Sequence, residues 1–85
     1  YSINTKDKNI IEAKKKVEKI VFAHKEVLQM HGFHLDAEDE TLSFDIIIDF
    51  KAENYEKIYQ DIYDAVQKEF KNYKITIVLD IDISD

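Results

Sequence analysis

Hydrophobic positions along this chain switch between two spacings, and each switch marks an element. From about Asn9 to Lys25, Ile10, Ala13, Val17, Ile20, Val21 and His24 recur three or four apart, with Lys14, Lys15, Lys16, Glu18 and Lys19 between them. That spacing predicts a helix with one buried stripe. Residues 27–36 (VLQMHGFHLD) read as a strand, because Gly32 and the acidic turn Glu38-Asp39-Glu40 favour a strand entering a hairpin over a continued helix. At strict alternation Val27, Gln29, His31, Phe33 and Leu35 share one face, and Met30, Gly32, His34 and Asp36 the other.

Thr41 to Phe50 (TLSFDIIIDF) alternates again, with Phe44, Ile46, Ile48 and Phe50 on one side and Asp45, Ile47 and Asp49 on the other. Asn54 to Phe70 returns to helical spacing and sets Tyr55, Ile58, Tyr59, Ile62, Val66 and Phe70 towards a core. Tyr73 to Ile83 (YKITIVLDIDI) alternates once more, with Ile75, Ile77, Leu79 and Ile81 opposed to Thr76, Val78, Asp80 and Asp82. The predicted class is therefore α+β, in the order α-β-β-α-β. The economical packing is two helices on one face of a three-stranded sheet, which leaves the other face to solvent or to a second subunit.

Composition narrows what such a module does. Its 85 residues make one domain near the small end of the usual range, where a partner surface often supplements a modest core. With no proline, one glycine and no repeat, nothing marks an internal boundary. No cysteine means no disulfide framework, thiolate nucleophile or zinc-thiolate cluster. Eighteen acidic against 12 basic residues give a formal charge of −6, which repels phosphate backbones and favours cations or basic partners, so nucleic acid is a poor expectation. No apolar run approaches the roughly 20 residues that span a bilayer, and no signal-peptide pattern is present. The chain is expected to be soluble, and its opening on Tyr1 rather than methionine suggests a piece cut from something longer.

Candidate chemistry is confined to histidines and carboxylates. Neutral imidazole together with carboxylate suits zinc and neighbouring divalent ions. His31 and His34 are three apart, which on a regular strand sends them to opposite faces and keeps them from one ion. His24 falls on the apolar stripe of the first helix, where a packed or capping histidine is the ordinary outcome. Asp80 and Asp82 share a strand face about 6 to 7 Å apart, placed to supply one ligand each, and Asp85 follows beyond the strand. The plain alternative is that these carboxylates are charges guarding a terminal strand. Glu38, Asp39 and Glu40 lack the twelve-residue ligand pattern and central glycine of a calcium-binding EF-hand loop. No oriented acid–base pair and no glycine-rich loop accompanies them, so an enzyme is not expected.

The segment His24-Lys25-Glu26-Val27-Leu28-Gln29-Met30-His31-Gly32-Phe33, then Phe44-Asp45-Ile46-Ile47-Ile48-Asp49-Phe50 and Ile75-Thr76-Ile77-Val78-Leu79-Asp80, resembles the carboxy-terminal cytoplasmic domain of the cation diffusion facilitator (cation efflux) transporters. The resemblance covers nearly the whole chain from about Asp7, and YSINTKD resembles the connector that leaves the last transmembrane helix. It implies residues 1–7 as connector and 8–85 as a cytoplasmic regulatory and dimerisation domain of metallochaperone-like, ferredoxin-like fold. Such domains pair with their twin and in many members bind divalent cations that close the dimer, while cation exchange for protons occurs in a membrane domain. The implied location is the cytoplasmic face of the cell membrane, and the implied partners are a second copy and the chain's own transmembrane domain.

By motif position His31 matches the family's histidine on the first strand and Asp80 its acidic ligand on the last. Ile47 and Val78 stand where zinc-binding relatives commonly carry histidines, and as an apolar pair on the outer sheet face they are the expected dimer contact. Either the ligands are rearranged, drawing on His24, His34, Asp82 or Asp85, or this branch dimerises without metal. The other function class in view is a stand-alone metal-binding or ligand-sensing module of the same ferredoxin-like topology.

Overall fold

The middle strand organises the molecule because its alternation is complete. In the computed structural model, which describes residues 5–82, the elements run α1 (Thr5–Val21), β1 (Val27–Asp36), β2 (Thr41–Asp49), α2 (Tyr55–Glu69) and β3 (Lys74–Asp82). Every second residue of β2, namely Leu42, Phe44, Ile46 and Ile48, is buried to within 1% of complete exclusion from solvent. Both neighbours of β2 bond to it: the sheet order is β1-β2-β3, with β1 antiparallel and β3 parallel. A short turn suffices for the first pairing, and the second needs a crossover, which α2 supplies. The result is the expected ferredoxin-like α+β arrangement, two helices on one face of a three-stranded sheet.

The helices meet that face through stripes at four-residue spacing. Ala13, Val17 and Val21 are buried from α1, and Ile58, Ile62 and Val66 from α2. They close on Leu42, Phe44, Ile46, Ile48, Ile75 and Ile77 of the sheet. The removal of this apolar surface from water is the main force holding so small a fold. Lys16 and Glu69 form an exposed ion pair between the helices at 3.7 Å, which adds little. Beyond α2, the half-buried Gln67 amide donates to the carbonyls of Phe70 at 3.0 Å and Tyr73 at 2.8 Å, fixing the bend into β3.

The hairpin turn lies where the acidic run predicts it. The Asp36 carboxylate accepts from the backbone N–H groups of Glu38 at 2.9 Å and Asp39 at 3.1 Å. Glu40 then takes a positive φ of 54° before β2 begins.

Some expectations need correction. α1 starts at Thr5 and ends at Val21, not from Asn9 to Lys25, so His24 is not on a helix at all: its N–H bonds to the Val21 carbonyl in the turn before β1. Phe50 does not face the core. β2 ends at Asp49, whose carboxylate and carbonyl accept from the N–H groups of Lys51 and Ala52, and this turn leaves Phe50 55% exposed. Tyr55, the first residue of α2, is likewise exposed. The largest difference is in β1, which is not a regular strand.

Candidate functional site

Two irregularities in β1 decide which side chains share a surface. The pairing Val27 with Ile48 is followed by Gln29 with Ile47, so Leu28 is an extra residue. Further along, His31 pairs with Asp45 and His34 with Ser43, so β1 spends two residues, Gly32 and Phe33, where β2 spends one. Each added residue reverses the alternation that follows it. Val27, Met30, Phe33 and Leu35 therefore serve the core, and Phe33 lies on Phe44 with ring centroids 6.5 Å apart. Gln29, His31, His34 and Asp36 lie opposite the outward residues of β2.

The expectation that His31 and His34 occupy opposite faces is thus overturned. Both are exposed on the helix-free side of the sheet. Gly32 makes this possible: its φ of +64° is a left-handed conformation that L side chains rarely adopt. A Cβ placed on Gly32 would sit 3.7 Å from an Asp45 carboxylate oxygen, so that carboxylate lies close over the irregularity that separates the two histidines. The His31 imidazole Nε2 is hydrogen-bonded to the Gln29 side-chain oxygen, so these two side chains share the face.

Strand register arranges the open face in rows. Gln29, Ile47 and Asp80 form one row, His31, Asp45 and Val78 the next, and His34, Ser43 and Thr76 the third. Adjacent members of a row are about 5 Å apart, so His31 and Asp80, separated by two strand spacings and one row, cannot reach one ion within a single copy. Asp45 is the carboxylate nearest His31 in register, and sequence reasoning placed it on the outer face without casting it as a ligand. Only the pairing of β1 with β2 reveals it. Val78 is exposed and Ile47 half-buried on this face, with exposed Leu28 beside the Gln29–Ile47 pair.

His24 belongs elsewhere. It lines an open cleft of about 670 Å³ at the end of the sheet, with Glu26, Asp49, Lys51, Lys57 and Asp61. Two of the carboxylates there are already engaged: Asp49 caps the Lys51 turn at 3.0 Å, and Asp61 pairs with Lys57 at 3.3 Å. Asp82 pairs in register with Asp49 through its backbone, and Asp85 lies outside the described residues. Among the described residues, the expected alternative ligands His24 and His34 therefore stand in different regions of the molecule. Among the described residues, no three histidine, aspartate or glutamate side chains converge closely enough to hold a metal ion. No described helix is long and apolar enough to cross a membrane.

Compared with protein-family models, with curated proteins and with solved structures, the chain matches none.

Proposed function

We propose that this chain is a cytoplasmic, homodimerising regulatory domain of a divalent metal cation efflux transporter, in which the open sheet face receives the cation and the second copy. The observation that carries this reading is the irregularity at Gly32, which gathers His31 and His34 onto one face beside Asp45. The same irregularity serves two ends at once: after the shift at Leu28 it returns Phe33 and Leu35 to the core, and it sets both imidazoles on the open face. The resemblance to the cation diffusion facilitator domain supports the same reading. Its α-β-β-α-β order is the order of the fold.

Within one copy the donors do not complete a coordination shell, so the reading requires a second copy to supply the rest. A divalent ion held there would also reduce the repulsion between two chains of formal charge −6 each. In that arrangement His31 and His34 give neutral nitrogen ligands, Asp45 or the second copy's Asp80 gives oxygen, and Ile47 and Val78 give the apolar contact. Proton-coupled transport is the work of a membrane domain. The part played here is to couple cation level to the pairing of two such domains.

Sedimentation equilibrium at tens of micromolar tests the reading. The expected mass is twice the 10.1 kDa of the chain, with pairing tightened by zinc. Titration calorimetry should give zinc heats that shrink in His31→Ala and again in the His31→Ala/His34→Ala variant. Binding should weaken on acidification, because a protonated imidazole has no lone pair for the metal. A mass of 10.1 kDa with and without zinc overturns the proposal. Unchanged zinc heats in the double variant remove the histidines from it.

A further inference from the structure

The sheet has two outer edges, and they differ. The β1 edge is interrupted twice, at Leu28 and at Gly32-Phe33. Such irregularities are a common way to keep a strand edge from accepting another chain. β3 has neither glycine nor proline, and its pairing with β2 runs without a shift from Lys74 opposite Thr41 to Asp82 opposite Asp49. Among the described residues no backbone group bonds to its other side.

Which groups point outward follows from one bond. The Lys74 N–H donates to the Glu40 carbonyl at 2.8 Å, towards β2, so Lys74, Thr76, Val78 and Asp80 turn their backbone groups inward along the sheet. The N–H and C=O of Ile75, Ile77 and Leu79 point away from it. On the open face the same strand carries Lys74 at its start and Asp80 near its end, both exposed. Neither makes an ion pair within its own copy among the described residues. Six residues of strand, about 20 Å, separate the two, so they cannot meet each other.

We propose that β3 pairs edge to edge with β3 of a second copy, antiparallel about a two-fold axis at Ile77, so that two three-stranded sheets become one of six strands. This rests on the dimer reading above for the second copy itself, and seats that copy along the β3 edge rather than over the open face. In this register Ile77 bonds to its own counterpart and Ile75 to Leu79 of the second copy, using the outward-pointing groups. The intervening pairs, Thr76 with Val78 and Lys74 with Asp80, are the closely spaced kind in which side chains interact best. The charge pattern is self-complementary only in this sense: antiparallel pairing sets each lysine against an aspartate, whereas parallel pairing sets like against like. Exposed Val78 is brought beside the axis, which gives it the apolar cover it lacks in one copy.

Charge exchange tests the pairing, because Lys74 and Asp80 are exposed and their substitution leaves the core intact. Lys74→Glu and Asp80→Lys should each weaken the dimer constant by at least about tenfold, since each places two like-charge pairs across the axis. An equimolar mixture of the two variants should recover pairing, as should the double variant Lys74→Glu/Asp80→Lys. An unchanged dimer constant in either single variant, or no recovery on mixing, overturns the inference. If the single charge variants remain dimeric while Ile47→Asp dissociates, the second copy docks on the sheet face: the dimer reading stands and the edge pairing falls. A parent chain that is monomeric with and without zinc removes both.

Discussion

Replacing Phe44 by alanine is expected to cost about 3 to 5 kcal/mol of unfolding free energy, a large part of the roughly 4 to 13 kcal/mol an 85-residue domain has in total. Phe44 sits on the central strand with 1% of its surface exposed, flanked by Leu42 and Ile46 and stacked on Phe33. Its removal leaves a cavity bounded on one side by the sheet and on the other by helices anchored at Ile62 and Val17. Neither layer can collapse into that space without disturbing the other. Urea denaturation followed by far-ultraviolet dichroism measures the effect. A loss below about 1 kcal/mol would mean that the helices do not pack on this face as described. Phe50→Ala, the same substitution in the turn that follows the strand, is the control and should change stability by no more than about 0.5 kcal/mol, because the ring is 55% exposed.

Gly32→Val is expected to destabilise the fold by about 1 to 3 kcal/mol and to abolish whatever zinc binding the parent shows. Space is not the obstacle, since the nearest atom to an added Cβ is 3.7 Å away, an ordinary contact. The cost comes from the backbone: φ of +64° is unfavourable for any L side chain and most of all for a β-branched one. The chain's escape is to straighten β1, which returns His31 and His34 to opposite faces. Gly32→Asn separates the two effects, because asparagine tolerates the left-handed region and should retain both the fold and the shared face. Equal stability of the valine variant and the parent in urea, with zinc heats preserved, would show that the irregularity does not depend on glycine.

These two positions also show what the sequence made legible. Phe44 could be assigned to the core because β2 alternates without interruption, and the same regularity made Ile75 and Ile77 readable in β3. The two helices were visible for the same reason, as was the order of all five elements. Alternation fails as a guide in β1, where counting in twos assumes one residue for each step of the partner. Gly32 was a signal, since a lone glycine inside a strand pattern often marks a bulge, and taking it as such would have placed the histidines together. Leu28 carried no such mark. The role of Asp45 could not be read at all without the pairing of two strands, because register is a relation between segments and not a property of either. His24 was misplaced by a simpler cause, the extension of a helical spacing past the residue where the backbone turns.

The mixed pairing of the sheet bears on the order in which the fold assembles. β1 and β2 are joined by a short turn held by the Asp36 carboxylate, so their hairpin can form at little cost in chain entropy. β3 lies on the far side of β2 beyond the α2 crossover, so its pairing closes a longer loop than the hairpin does and is expected to form later. Until then β2 offers one edge and a row of uncovered isoleucines to any neighbouring chain. The strand that completes the domain thus also ends its vulnerability to aggregation, and leaves in exchange a single regular edge whose charges choose what may lie against it.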